Sequence, residues 1–353
     1  MINDCGGVAQ VVRANGSYPL CPGFDSLHRH HPLLKRFRMD LKALPFRDGH
    51  RVLVAVSGGG DSLGLLALLL SARPRPDLLL GVAHVHHNLR GEEADRDESA
   101  VKDLAKALAL PFLRARLKGK PERGESTEAW AREGRYAALE ALRAKGGWDF
   151  VATAHSLDDQ AETVLMRIAR GTGLQGLAAI HPLAGHVVRP ALGFSGAELR
   201  RAAADCGLRW VEDSTNEDRR FLRNRVRLDV LPVLEEALPG ISRRLSALAR
   251  LAHEAEPPVP SHIARVEGDT VYYGCDALKI LSRGLAMEAF RQGLRDARGD
   301  LRGISEKHLR ALLALTEARP GGLVALPGGW EGIRRKGGIL LRPTAVRRKE
   351  RKR

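Results

Sequence analysis

Apolar positions along this chain fall alternately into short unbroken runs and longer helical blocks. Residues 51–56, Arg-Val-Leu-Val-Ala-Val, are almost continuously apolar, as a strand buried on both faces of a parallel sheet requires. Residues 63–71, rich in Leu and Ala, predict a helix, and residues 78–85 predict a second strand. A helix over 98–108, a short strand over 111–117, a helix over 126–145 capped by Ser126, and a buried strand over 150–154 follow. Another helix is expected to begin near Leu157. Such alternation predicts an α/β fold with a doubly wound parallel sheet, whose ligands sit at the carboxyl ends of the strands.

Further on, residues 222–251 keep a helical period interrupted by Pro232 and Pro239, and are read as a connection between domains. Residues 254–260, with Pro257, Pro258 and Pro260, read as a linker. Beyond it, a short strand at 270–273, helices at 277–295 and 305–317, and turns at 320–322 and 327–329 predict a smaller, mainly helical C-terminal domain.

The first 32 residues carry no such periodicity, but they can be read as nucleic acid. Gly23-Phe24-Asp25-Ser26 is what GGG-TTC-GAT-TCC encodes, the T-arm sequence common to tRNA genes. Val8-Ala9 and Arg29-His30 have codons that are reverse complements, as an acceptor stem needs. Residues 1–38 are therefore read as a non-native or disordered extension, translated from an upstream tRNA gene, with the protein starting near Met39. The expected domains are then 39–235 for catalysis and 236–353 for nucleic-acid binding, the latter ending in a basic tail.

Charge changes the picture mainly by its position. The chain carries 57 Lys+Arg against 42 Asp+Glu, a net +15, which points to a polyanionic partner. Ten basic residues and one acidic residue lie within 334–353, so the predicted catalytic body is nearly neutral. The longest apolar run, 65–70, falls far short of the ~20 residues of a membrane span, so no membrane association is expected. Cys5, Cys21, Cys206 and Cys275 form no C-x-x-C pair, and no signal peptide is evident; the expectation is a reducing, cytoplasmic location.

Candidate chemistry begins at Ser57-Gly58-Gly59-Gly60-Asp61-Ser62, between the first strand and its helix. This layout places backbone N–H groups around a phosphate at a helix N-terminus. It is neither G-x-x-x-x-G-K-[ST] nor G-x-G-x-x-G. His84, His86 and His87 end the second strand; no carboxylate or Cys lies at ligand spacing, so a role in shaping a nucleotide pocket is expected rather than zinc binding. His155-Ser156-Leu157-Asp158-Asp159-Gln160-Ala161-Glu162 is the second block. Asp159 and Glu162 would share one helix face, where they could flank a metal and a reacting phosphate, while Asp158 or Asp159 could instead cap the helix.

The hexapeptide resembles the PP-loop of the N-type ATP pyrophosphatases. That resemblance implies ATP as co-substrate, with Ser57, Gly58, Gly59, Gly60, Asp61 and Ser62 holding its phosphates and Asp61 engaging Mg²⁺. The ordered series S-G-G-G-D-S, H-V-H-H-N-L-R, Arg132 to Tyr136, A-H-S-L-D-D-Q-A-E-T, R-G-T-G-L-Q-G-L, Arg189-Pro190, Glu212 to Asn216 and Arg223 to Arg227 is similar to bacterial tRNA(Ile)-lysidine synthetases over roughly residues 45–235. The resemblance implies that ATP adenylates the wobble cytidine of isoleucine tRNA with a CAU anticodon, and that free L-lysine displaces AMP. It assigns Asp61, Asp159 and Glu162 to the ATP, Mg²⁺ and lysine site, with His155 beside them, Mg²⁺ resting on Asp61 and Asp159. Arg135 and Arg227 would contact the substrates, and Gly171 and Gly173 would form a turn near the acceptor base. A carboxylate or His155 would take the lysine proton.

A homodimer is compatible with this reading. The alternative is another PP-loop tRNA-modifying enzyme, such as a 2-thiocytidine synthetase, which calls for paired cysteines that this chain lacks. An amidotransferase-type synthetase leaves the basic tail unexplained, and a non-catalytic RNA-binding protein has no use for the three carboxylates.

Overall fold

The computed structural model describes residues 31–72, 77–88, 92–117, 119, 127–210, 218–255 and 259–344. They form two compact units, divided between Ala255 and Glu256. The boundary expected at 235/236 therefore moves twenty residues on, into the predicted linker. Helices α9 (Leu231–Ala237) and α10 (Ile241–Glu254) belong to the first unit, where Leu245 and Ala249 share a buried cluster with Ala161 and Val164.

In the first unit, strands β1 (Arg51–Ala55), β2 (Leu79–His86), β3 (Phe112–Arg116) and β4 (Phe150–Ala152) run parallel, with the two-residue strands β5 (Leu183–Ala184) and β6 (Val187–Val188) at the far side. Their order is β3-β2-β1-β4-β6-β5, with β5 antiparallel to β6. The strand order turns back between β1 and β4, and that is where open α/β sheets bind ligands. Helices α2 (Gly60–Ala72), α3 (Glu92–Ala107) and α4 (Thr127–Gly146) connect the strands much as the periodicity predicts, although α3 starts six residues early. Ser126, the expected cap of α4, lies outside the described residues.

Helix α2 is apolar on nearly every side, which suits a helix covered all round. One cover is α7 (Gly196–Asp205): a Cβ on Gly64 would stand 2.1 Å from the Leu199 carbonyl oxygen, so only glycine lets the two backbones approach. Another is a helix N-terminal to the sheet, α1 (Pro32–Leu41). Its Leu34, Phe37 and Leu41 are fully buried in the same cluster as Leu65–Leu69, and Phe37 packs edge-on to Phe194. Arg38 donates to the Ser71 and Ala72 carbonyls, closing the C-terminus of α2. This corrects the start expected near Met39: residues 32–38 build the core of the domain. The reading of the codons before them concerns residues outside the described set.

The second unit holds, among the described residues, a five-stranded antiparallel sheet ordered β7-β8-β11-β10-β9. Its strands are β7 (Ala264–Glu267), β8 (Thr270–Gly274), β9 (Leu323–Leu326), β10 (Trp330–Arg335) and β11 (Gly338–Pro343). Helix α13 (Glu306–Ala314) falls where one is expected, whereas the single helix expected over 277–295 is broken at Leu281–Ser282 into α11 (Cys275–Ile280) and α12 (Arg283–Arg298), which Ser282 caps. The sheet is more extensive than the isolated short strands anticipated. Tyr273, fully buried, donates its hydroxyl proton to the Ala289 carbonyl and so ties sheet to α12. No described helix is long and apolar enough to cross a membrane.

Two stability measurements follow. Gly64→Ala should destabilise the protein by about 1–3 kcal/mol in urea unfolding, reversing the usual gain of Gly→Ala in a helix; an unchanged midpoint would contradict the α2–α7 contact. Phe37→Ala should cost about 3–5 kcal/mol, as for other buried aromatics, whereas a chain truly beginning at Met39 would be indifferent to it.

Candidate active site

The loop after β1 is held shut by its own hydroxyls. Ser62 Oγ donates to the Gly59 carbonyl (2.8 Å) and accepts from the Ser57 N–H (3.2 Å), while Ser57 Oγ accepts from the Gly59 N–H (3.3 Å). Gly58 sits at φ +99°, a backbone shape that favours glycine and turns the chain into α2. Behind the loop, the buried His84 bonds through Nδ1 to the Val56 carbonyl (2.9 Å), immediately before Ser57. Because that partner is a carbonyl oxygen, Nδ1–H is the donor, and burial holds His84 below its ordinary pKa. His86 accepts from the Asn88 N–H through Nδ1, leaving Nε2 to face Asp95 at 3.4 Å.

Asp61 lies in the first turn of α2 and pairs with Arg200 of α7 at 2.9 Å. A Cβ on Gly60 would stand 2.6 Å from Arg200 Cγ, so the arginine stem crosses directly over the loop. Burial raises the Asp61 pKa; Arg200 offsets this in part, and the nearby Asp159 adds to it.

The second block starts helix α5 (Leu157–Ala169) as its spacing predicts. Ser156 and Asp159 form a capping box: Ser156 Oγ accepts from the Asp159 N–H, and Asp159 Oδ2 accepts from the Ser156 N–H at 2.9 Å. Asp158 Oδ2 accepts from the Gly196 N–H at 2.8 Å, joining the N-termini of α5 and α7. Asp159 Oδ1 and Glu162 both face two arginines. Arg223 donates to Glu162 (2.7 Å) and Asp159 (2.8 Å), and Arg227 donates to Glu162 (2.5 Å) and Asp159 (3.2 Å).

Glu162 is wholly excluded from solvent, whereas Arg223 and Arg227 keep 20% and 36% of their side chains exposed; the carboxylate is the buried floor and the guanidiniums are its lid. Burial pushes the Asp159 pKa up, but Arg223 and the other surrounding donors outweigh it, and the net shift is downward. Arg227 stands in a π-helical turn, Val226–Val230, that follows helix α8 (Leu222–Arg225); such turns recur at functional sites.

Arg135 lies over the ring of Tyr136 (5.6 Å), and burial lowers its pKa. The hydroxyl of Tyr136 meets His155 Nε2 at 3.4 Å, and Thr153 Oγ1 meets Nδ1 at 3.0 Å. Burial, reinforced by Arg189, Arg132 and Arg135, holds His155 far below the usual imidazole range despite Asp159. It is therefore neutral and a weak base.

The structure thus brings Asp61, Asp159, Glu162, Arg227, Arg135 and His155 into one electrostatic neighbourhood. Gly171, at φ +75°, and Gly173 lie exposed after α5. Their partners are local: the Gly171 N–H donates to the Ile168 carbonyl (3.0 Å) and the Gly173 carbonyl accepts from the Leu177 N–H (3.1 Å), while Arg167 Nη1 reaches the Gly176 carbonyl. The block from Glu212 to Asn216 falls outside the described residues.

Sequence reading gave no role to Arg223 or Arg200. Arg223 had a signal, its spacing of four from Arg227, which puts both on one helix face; Arg200 had none, since only the α2–α7 contact brings it to Asp61.

No group of three or more His, Cys, Asp or Glu that could hold a metal exists among the described residues. The donors present suit instead a hard cation carried in by phosphates, which needs one or two carboxylates from the protein. Asp61, 39% exposed and close to Asp159, fits that role.

A model of the PP-loop domain matches residues 31–234. The chain is 38% identical to a tRNA(Ile)-lysidine synthase of Geobacter sulfurreducens over 306 residues, 80% of this chain and 63% of that protein. It is 38% identical to that of Bordetella bronchiseptica over 257 residues, 69% of this chain and 74% of that protein. With the Thermus thermophilus relative the figures are 39%, 82% and 56%. The chain thus spans less than two thirds of the Geobacter and Thermus proteins. Among solved structures, a U34-tRNA thiolase, NcsA from Methanococcus maripaludis, superposes with a TM-score of 0.52 at 19% identity, covering 64% of this chain and 80% of that one; it shares the fold.

Arg223→Gln should leave the buried Glu162 with one guanidinium and cost about 3 kcal/mol in denaturant at pH 7. Because Asp159 is held below its ordinary 3.8, its contribution is present above that pH and is lost as pH falls through the depressed value. In Arg223→Gln the Asp159 pKa should rise toward its ordinary value, so the acid loss due to Asp159 should be smaller and be complete at a higher pH than in the wild type. Coincident unfolding curves would show that the arginine carries no structural load.

Proposed function

This chain belongs to the PP-loop family and, within it, to the tRNA(Ile)-lysidine synthases, and we propose that it ligates L-lysine to the wobble cytidine of isoleucine tRNA. In this reading ATP is the co-substrate, the tRNA carries a CAU anticodon, and the reaction runs in the cytoplasm. The cytidine O2 attacks the α-phosphorus of ATP and diphosphate leaves. The lysine ε-amino group then attacks C2, the C2–O bond breaks, and AMP departs.

One observation carries the proposal. Motifs about a hundred residues apart in sequence, the loop with Asp61 and the helix with Asp159 and Glu162, converge where the strand order reverses. The loop offers N–H groups and the hydroxyls of Ser57 and Ser62 to the departing diphosphate at the start of α2. Mg²⁺, held through Asp61 with Asp159 nearby, would supply neutralisation of the phosphate charge.

Asp159 offers the lysine ammonium an anionic partner, with the neutral His155 beside it, and a group of this cluster would take the proton that lysine must lose. Arg227 and Arg135 would hold the base and lysine, with the Gly171–Gly173 turn at the rim. The second unit and the basic residues beyond it suit phosphate contacts of a kind that position RNA without reading sequence.

The test is incubation of the full chain with ATP, Mg²⁺, radiolabelled lysine and CAU-anticodon isoleucine tRNA. Lysine should enter the tRNA with stoichiometric AMP release. Asp61→Ala should abolish adenylation while tRNA binding survives. Sulfur transfer, or adenylation without lysine incorporation, would overturn the assignment.

A further inference from the structure

The loop after β1 carries no lysine or arginine of its own, so a polyphosphate on its N–H groups and hydroxyls draws its counter-charge from outside the loop. One guanidinium already lies across it. Arg200 projects from α7, and its stem passes over Gly60, where a Cβ would meet Arg200 Cγ at 2.6 Å and Cδ at 3.1 Å. The Trp210 ring closes the same spot, 3.0 Å from that Cβ position. The start of α7 is fixed as well: a capping box between Ser195 and Glu198 holds its first turn, and Asp158 binds the Gly196 N–H. Backbone and stem are thus held in place, and only the outer torsions of Arg200 are left to move its charge.

At the end of that stem, Nη1 donates to Asp61 Oδ1 at 2.9 Å, the one hydrogen bond of this guanidinium among the described residues. An arginine has five N–H donors in a planar fork that suits phosphate as well as carboxylate, so a single-point contact leaves most of its capacity unused. Arg200 keeps 44% of its side chain exposed, and the pair sits at the open side of the loop, where an incoming ligand reaches it. An ion pair so exposed is weak and readily exchanged. Asp61 is also the carboxylate that fits Mg²⁺, and a divalent cation competes with a guanidinium for the same negative charge.

We propose that Arg200 is the phosphate-binding cation that the loop itself lacks: it rests on Asp61 in the empty site and passes to the β- and γ-phosphates of ATP when Asp61 turns to the Mg²⁺ that ATP carries. The assignment rests on the ATP reading above and adds a positioning residue for the leaving diphosphate. An arginine kept only to brace α7 against α2 would belong where Gly64 meets Leu199; Arg200 stands instead over the phosphate loop. Its rest on Asp61 keeps the empty site neutral at this point, and its transfer gives the polyphosphate a cation without a second residue entering the loop.

The test is equilibrium binding of ATP and of AMP, each with Mg²⁺, to the full chain without tRNA or lysine. The wild type is compared with Arg200→Met, which keeps the stem over Gly60 and removes the charge. ATP should bind Arg200→Met about 10–100-fold more weakly, the scale of one charge-assisted hydrogen bond. AMP, which lacks the β- and γ-phosphates, should bind both proteins alike, and Arg200→Lys should recover part of the ATP loss. Mn²⁺ alone, followed by its EPR signal, should bind Arg200→Met a few-fold more tightly than the wild type because Asp61 is released, and adding Asp61→Asn should remove that gain. Equal loss of ATP and AMP, or loss of neither, would overturn the proposal, and so would an Mn²⁺ affinity that Arg200→Met leaves unmoved. Arg200→Gln, a polar replacement for a half-exposed position, puts the same questions if methionine is not tolerated there. If the wild type binds no ATP, the ATP reading itself falls, and this inference with it; a wild type that binds ATP no better than Arg200→Met sinks this inference alone.

Discussion

Two carboxylates one helical turn apart face two guanidiniums one turn apart, and the rest of the candidate site is built around that square. Glu162 has no access to water, so its charge must be matched by the protein or neutralised. Arg223 and Arg227 supply the match, and in doing so they fix the segment after the sheet against α5. Asp159 carries a second duty, since one oxygen caps α5 while the other joins the square. Geometry at the start of the helix and electrostatics at the site are therefore one constraint.

The same logic extends to Asp61. Its partner Arg200 reaches from α7, and α7 is locked to α2 by the glycine contact at Gly64 and to α5 through Asp158. Each site carboxylate thus has an arginine partner within the protein itself. In the function proposed, substrate charges would enter such a site by exchanging partners, an ammonium competing for Asp159 and a polyphosphate for Arg200. A site balanced in this way is preorganised for charge without accumulating any of one sign, which agrees with the near neutrality of the catalytic body.

The location follows from topology. The loop after β1 and the helix after β4 meet because those strands are neighbours at the point where the winding reverses, and both present helix N-termini to the crevice. The N-terminal helix α1 serves this arrangement at a distance, since Phe37 and Arg38 pack and cap the buried α2 whose first turn carries Asp61.

Much of this was legible in the sequence. Period and composition marked β1 to β4, α2, α4 and the start of α5 to within a few residues, because a strand buried on both faces and a helix buried all round need unbroken apolar stretches; they placed α3 six residues late and did not mark α1, α7, β5 or β6. Spacing put Asp159 and Glu162 on one face, and the glycine-rich hexapeptide marked the phosphate loop, since local backbone geometry demands those residues. What stayed hidden depended on contacts between distant segments. Residues 32–38 look foreign in the sequence because their short helix is identifiable only by the core it fills, and the compact unit runs past 235/236, where the PP-loop match ends, because α10 packs back on α5. Arg200 looked like any surface charge until Gly60 and Gly64 allowed α7 to lie across the loop. The sequence by itself determined which groups carry the chemistry and the local shapes that present them. Tertiary structure alone decided which arginine answers each carboxylate, because burial, not spacing, forces a charge to find its partner.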